Sequence, residues 1–473
     1  MKLEFIHSAS PRLRVRDEDF DHAEPRSRTE RDRFYRQPGH LLLAGLLGSL
    51  LVVAPALAGN WSQWRGPEGT GVSGETNLPV NWNATRGIIW KTDLPEWGDS
   101  TPAIWGDAIF ITTQHDDNLL LLKLDKASGR ILWTRTVGNG EFKRIPINKK
   151  TPEQRKEQNF HSLQNQASPS PVTNGEVVVV HFGNGDLTAY DFDGKQLWRH
   201  NLQDDYGHYT IWWGHANSPV IFGNSVISAC MQDSLADVAQ KPTESYVVAH
   251  DLRTGRERWK TLRMTGAKAE ECDAYTTPVI TEVEGRPQLI VMGGNQLDAY
   301  DPSNGRQIWF LPGITGGRTV GGATVADGLA FCTQGKSGPL LAVKLGGMGQ
   351  LPRSDIIWKY EKGTPDSCTP VVWESHLFTL QDAGIVRCFD IHTGRELWHE
   401  RVKGEYKASP VAAEGRVYLL NTHGLCTVIS ASDRFDKLSE NQIDDDTIAS
   451  PAISDGRFYI RGHKEVWCVG KDF

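Results

Sequence analysis

A chain of 473 residues with 39% hydrophobic residues and a mean hydropathy of −0.42 is long for one ordinary domain and too polar for a polytopic membrane protein. Its 51 basic and 58 acidic residues give a net charge of −7, which argues against nucleic acid as the main partner. The 47 glycines and 16 tryptophans point to many turns and to one large aromatic used repeatedly.

Residues 1–58 read as a targeting segment with a long n-region. Arginines between Arg12 and Arg36 precede an apolar run, Leu41–Val53, and Ala56-Leu57-Ala58 with Gly59 next is a small-residue cleavage pattern. The run is short for a bilayer span. The expectation is export to the periplasm or another extracytoplasmic space, with an uncleaved anchor as the other reading. The length of the stretch ahead of the run points to a start codon downstream of Met1. No cysteine follows the cleavage pattern, so a lipid anchor is not indicated and membrane contact is peripheral at most. Residues 59–87 form a lead segment that opens on N-W-S-Q-W-R-G-P, Asn60–Pro67.

From 88 to 473 the chain repeats. One pattern is an apolar strand ending in Asp, a glycine turn and a strand with Trp, as in L-K-L-D-K-A-S-G-R-I-L-W, Leu122–Trp133. It recurs at Leu187–Trp198, Val247–Trp259, Leu297–Trp309 and Val386–Trp398, each Trp four residues after its glycine. Leu340–Trp358 is a copy with an insertion around Gly346–Gly349, and the copy from Leu425 to about Leu438 has lost both Gly and Trp. A second pattern, Ser/Thr-Pro before apolar residues and a turn, precedes each copy. It begins at Thr101, Ser170, Ser218, Thr277, Thr369, Ser409 and Ser450, with Ala323-Thr324 as a copy lacking Pro.

Each unit predicts four strands, and most units have the blade length of a propeller. The first gives strand A at 102–105, B at 108–113, C at 119–125 and D at 130–137. The last unit runs out of chain before its D strand. Ile88-Ile89-Trp90-Lys91 has D-strand character with nothing before it, so it is expected to complete the last blade and close the ring. The fold class is all-β, an eight-bladed propeller of four-stranded antiparallel blades. Trp90, Trp133, Trp198, Trp259, Trp309, Trp358 and Trp398 share one repeat position and are expected to pack between blades.

The motif A-H-D-L-R-T-G-R-E-R-W (Ala249–Trp259), with its variant C-F-D-I-H-T-G-R-E-L-W (Cys388–Trp398), resembles that of the PQQ-like, quinoprotein-type β-propellers. The resemblance covers nearly the whole mature chain and speaks for the fold more than for an activity. Its members range from PQQ-dependent dehydrogenases to BamB, the outer-membrane assembly factor, which binds no cofactor. It implies that strand A edges line a central channel and that D-to-A loops open onto one face of it.

Three long stretches there hold the candidate ligand-binding residues. Gly138–Ser168 carries His161, Asn165 and Gln166; Leu202–Asn217 carries His208, Trp212, Trp213, His215 and Asn217; Glu270–Thr276 carries Cys272, Asp273 and Tyr275. Arg318, Asp366 and Lys407 complete a polar funnel for a small or peptide ligand. His208, His215 and Asp273 have metal-ligand chemistry, although polar loop residues ordinarily bond loop backbone and water. Of the seven cysteines, Cys332, Cys388, Cys426 and Cys468 lie in apolar runs and read as buried fillers, whereas Cys272 and Cys368 lie in loops and are the pair best placed for a disulfide.

The quinoprotein reading would need PQQ and calcium. The chain has no adjacent cysteine pair, no C-x-x-C-H haem segment and no recognisable calcium set. It also lacks a G-x-S-x-G elbow, an H-E-x-x-H pair and a Walker loop. The expectation is therefore a monomeric, non-catalytic binding or scaffold protein without cofactor, meeting a protein or peptide partner in the cell envelope. A PQQ-dependent dehydrogenase acting on an alcohol or sugar is the alternative.

Overall fold

The computed structural model describes residues 59–141, 151–334 and 338–471; the expected targeting segment lies outside them. From residue 88 the chain forms eight blades of four antiparallel strands. Blade 1 has strands A to D at Ala103–Trp105, Ala108–His115, Asn118–Asp125 and Ile131–Asn139. Strands B and C are buried along nearly their whole length and D alternates, as a blade packed on both faces with a solvent-side edge requires. The other A strands begin at Val172, Val220, Val279, Thr324, Val371, Val411 and Ala452.

Ring closure follows the sequence expectation. Ile88–Asp93 pairs antiparallel with Glu465–Val469 and becomes strand D of blade 8, with Ile88 opposite Val469. The outermost strand of the last blade thus comes from the start of the propeller, so neither end leaves an open gap. An addition not legible in the pattern is Val72–Ser73, which pairs parallel with Val411–Ala413 on the inner side of blade 7.

Six junctions between blades share one device. The indole N–H of Trp90, Trp133, Trp198, Trp259, Trp358 and Trp398 donates to a carbonyl in the C–D turn of the next blade: Lys126, Phe192, Leu252, Pro302, Ile391 and Ser432, at 2.7–3.2 Å. Turn glycines serve twice. Gly129 and Gly394 hold positive φ (73° and 68°), and a Cβ on either would overlap the docked ring of Trp90 or Trp358. Trp309 departs from the device, since its N–H donates to Gln288 within its own blade at 2.9 Å.

The lead segment covers the A–B turn end of the ring. Trp61 forms a bridge with Ile104 of blade 1, Asn60 accepts from Gly106, Glu75 from Gly456 of blade 8, and Glu414 of blade 7 from Asn77 and Leu78. Arg65, fully buried, donates to the carbonyls of Thr70, Thr369, Pro370 and Pro410. Its guanidinium therefore ties the lead to blades 6 and 7. Burial lowers its pKa to about 9.

All seven cysteines are free and buried, so the expected Cys272–Cys368 disulfide does not form. Cys272 donates to Ala267 within its own loop, and Cys368 to Ala408 of the neighbouring blade. Each thiol fills a separate packed site. No described helix is long and apolar enough to cross a membrane.

Candidate functional site

The Ser/Thr-Pro repeat builds the channel. The Thr101 amide donates to Ser170 Oγ (2.9 Å), Ser170 to Ser218 (2.9 Å) and Ser218 to Thr277 (3.1 Å). On the other side Gly322 donates to Thr369 (2.8 Å), Thr369 to Ser409 (2.9 Å) and Ser409 to Ser450 (3.0 Å), and Thr101 Oγ1 closes the circuit on the Ser450 carbonyl (2.9 Å). At six of the eight blades the hydroxyl at the start of strand A thus satisfies a buried amide of its neighbour. The repeat therefore aligns on Gly322, one residue before the Ala323-Thr324 expected from sequence, and blade 5 is the one place where the hydroxyl is missing.

Above this ring lies a cavity of about 280 Å³ with Trp64 of the lead segment in its lining. A register rule describes its wall: the residue two before each ring position faces in. These are Asp99, Ser168, Ala216, Tyr275, Val320, Ser367, Lys407 and Ile448, one per blade, and all eight line the cavity. Period-two alternation of an extended chain entering strand A puts them there.

At the mouth, His161, Leu163, Gln164, Trp213, Arg318 and Asp366 complete the lining. Arg318 lies between Asp366 (3.1 Å) and Glu270 (3.5 Å), and its guanidinium carbon is 5.9 Å from the Trp213 ring centroid. Trp213 donates its indole N–H to Glu270 (2.9 Å), and its ring meets that of His161 at 5.1 Å. Lys407 donates to Asp382 (2.6 Å) and Ser367 (3.2 Å). Burial pushes the Asp382 carboxyl up, but the Lys407 ammonium and the Ser367 hydroxyl hold it below its ordinary value. Ser168 donates to Asp99 at 2.9 Å.

Of the residues chosen from sequence, His161, Trp213, Tyr275, Arg318, Asp366 and Lys407 meet at this cavity. The others serve the loops that carry it. Asn165 accepts from the Ala167 amide and donates to the Trp97 carbonyl; Gln166 donates to Gly140. Asn217 donates to the Thr276 carbonyl, and Asp273 accepts from the Trp212 amide at 2.8 Å. His208 is exposed, whereas His215 is fully buried and hydrogen-bonded to His181 (3.2 Å), which in turn meets the Tyr209 hydroxyl (3.3 Å). Burial lowers His215 to about 3 and, with the neighbouring His215 and His250, takes His181 well below the ordinary imidazole range. His208, His215 and Asp273 therefore do not converge, and among the described residues no three His, Cys, Asp or Glu side chains form a metal-ligand set. The carboxylates at the cavity are instead bonded to Ser168 and Arg318.

Sequence reasoning missed Asp99, Ser168, Ser367 and Trp64. The first three carry a signal, their place two before a Ser/Thr-Pro start; Trp64 belongs to a segment that does not repeat.

A family model described as outer membrane protein assembly factor BamB matches residues 66–244 and 352–437, more than half of the chain. The chain belongs to this family. Solved structures share the BamB-type fold at low identity. The quinohemoprotein alcohol dehydrogenase from Comamonas testosteroni is 12% identical, with a TM-score of 0.64 over 88% of this chain and 82% of the other. BamB from Moraxella catarrhalis is 14% identical, with a TM-score of 0.55 over 80% and 98%. A europium-containing methanol dehydrogenase is 11% identical, with a TM-score of 0.56 over 85% and 89%. No curated protein matches the sequence.

Proposed function

We propose that this BamB-family propeller is an exported, monomeric binding protein of the cell envelope. Its channel mouth docks a segment of a protein or peptide partner without acting on it chemically. The observation that carries this reading is the state of the mouth: its charged side chains hold one another in place. Arg318 is held by Asp366 and Glu270, and Lys407 by Asp382 and Ser367. Trp213 and His161 add a fixed aromatic face. A pre-shaped polar and aromatic mouth recognises without reorganising. The family description, an assembly factor for outer membrane proteins, agrees with a partner in the envelope.

The alternative, a quinone-dependent dehydrogenase, has in its favour the fold shared with the quinohemoprotein and europium-containing enzymes. The side chains of the mouth support binding instead, because its carboxylates are paired with protein groups and, among the described residues, do not converge in a ligand set for a cation.

The test is photo-crosslinking in the cell from Leu163, exposed at the mouth, against Glu374, exposed on an A–B turn at the other end. A discrete adduct from Leu163 alone is expected. Adducts from neither position, or the same adducts from both, would contradict the proposal.

A further inference from the structure

Gly59 follows the small-residue cleavage pattern Ala56-Leu57-Ala58, and the fold holds both of its backbone polar groups. Its N–H donates to Glu75 Oε1 (2.9 Å), and its carbonyl accepts from Ser454 Oγ in strand A of blade 8. The second Glu75 oxygen accepts from the Gly456 amide on the A–B turn of the same blade. Asn60 and Trp61, the next two residues, bond to Gly106 and Ile104 of blade 1. Gly59 therefore sits where the first and last blades meet, and the lead segment is anchored from this residue onward.

A side chain is excluded at this position. The φ angle is 108°, and a Cβ would lie 2.5 Å from Asp455 Oδ1. That oxygen is accordingly at most about 5 Å from the Gly59 nitrogen. Asp455 Oδ2 is taken by Lys126 at 2.7 Å. Among the described residues Glu75 has no ion-pair partner, and its side chain accepts from two backbone amides. Two carboxylates and one ammonium thus meet around a backbone nitrogen, with one negative charge in excess while that nitrogen is an amide. Hydrolysis of the Ala58–Gly59 bond supplies the balancing charge. Water gives its oxygen to Ala58, which leaves as a carboxylate, and both hydrogens to the Gly59 nitrogen, which becomes an ammonium. Opposite charges within about 4–6 Å favour that charged form. We propose that a signal peptidase of the export route cuts between Ala58 and Gly59, and that the freed Gly59 ammonium is held by Glu75 and Asp455 as an ion pair joining the lead segment to blade 8. This rests on the export proposed above and adds the site of processing and the fate of the new terminus.

The test uses the full chain, expressed with residues 1–58 and recovered from the periplasm. Intact mass is expected to give Gly59 as the first residue. Its amine is then labelled with picolinaldehyde, which reacts with an unprotonated N-terminal amine, in the folded protein and in urea. Labelling of the folded protein should be about tenfold or more slower than in urea. Glu75→Gln keeps the shape and the acceptor but removes the charge, and should speed labelling of the folded protein about threefold to fivefold. Asp455→Asn, expected to act in the same direction, takes its place if Glu75→Gln fails to fold. A first residue other than Gly59, or labelling as fast folded as in urea, overturns the inference. So does labelling unchanged by the substitution, which is the result for an amine that is buried but not ion-paired. A chain that keeps residues 1–58 and stays in the cytoplasm contradicts export itself, whereas a cleaved chain with a freely reactive Gly59 contradicts the ion pair alone.

Discussion

The junctions between blades fall into two kinds. In the regular kind an outer-strand tryptophan donates to the C–D turn of the next blade, and at four of the six a turn glycine makes room for its ring. At the junctions of blades 4 with 5 and 7 with 8 the repeat has decayed, and other segments do the same work. At the first, the insertion of blade 5 folds back so that Gly349–Gln350 pairs parallel with Trp309–Phe310, and Leu351 donates to Phe310 at 2.8 Å. At the second, strand D of blade 7, Lys437–Gln442, has no tryptophan, and Trp82 of the lead segment takes its place. The Trp82 amide donates to Asn441 (2.8 Å), and its ring stacks on Phe458 of blade 8 at 6.0 Å. A ring needs every junction filled; the motif is one way of filling it, and a segment from elsewhere in the chain is another.

The largest expected effect comes from removing the strand that closes the circle. Deletion of Trp90–Leu94 takes most of strand D of blade 8 together with the Trp90 dock onto blade 1. Loss of a cooperative melting transition by circular dichroism is expected, and an unchanged transition would refute closure. Next come the two tryptophans. Trp398→Ala at a regular junction and Trp82→Ala at a repaired one should each cost about 3–5 kcal/mol in urea unfolding. A cost near zero for Trp82→Ala alone would mean that the lead merely lies on the ring.

Acid is expected to have an intermediate effect. His181, His215 (about 3) and His250 (about 4) are held neutral by burial, below the ordinary imidazole value. The unfolded chain takes up these protons below about pH 6.5 and the folded chain does not, so stability present above that pH is lost as pH falls. His215 and His250 each contribute on the order of 1.4 kcal/mol per pH unit between about 6 and 5, and His181 acts in the same direction. Urea midpoints at pH 7.5 and 5 check the direction, and equal midpoints would contradict it. The smallest effect is a gain. Gly322→Ser returns the missing hydroxyl, and a Cβ there meets nothing closer than 3.6 Å. About 0.5–1 kcal/mol of added stability is expected, read as a higher urea midpoint.

The regular junctions were legible because repetition turns a weak local signal into a register: eight copies fix where strands begin, and the unpaired strand at Ile88 then has one place to go. Trp82, Gly349–Gln350 and the Arg65 tie each occur once, and a segment used once leaves no period to read. The site divides in the same way. Arg318, Asp366 and Lys407 stood out because charges in D-to-A loops have few other uses. His215 and Asp273 stood out for the same chemistry, yet they hold a loop from inside, and no feature of the sequence separates a buried loop anchor from a channel residue. The alternation that brings Asp99, Ser168 and Ser367 into the channel was present in every unit, two residues before the Ser/Thr, and becomes visible once the ring fixes the register.

The claim that the channel binds without quinone chemistry is tested most directly by titrating the purified protein with PQQ and Ca²⁺, followed by absorbance and by dye-linked oxidation of alcohols and aldose sugars. No saturable binding and no turnover at large cofactor excess is the predicted result. Saturable binding with turnover would contradict the account and make the protein a dehydrogenase.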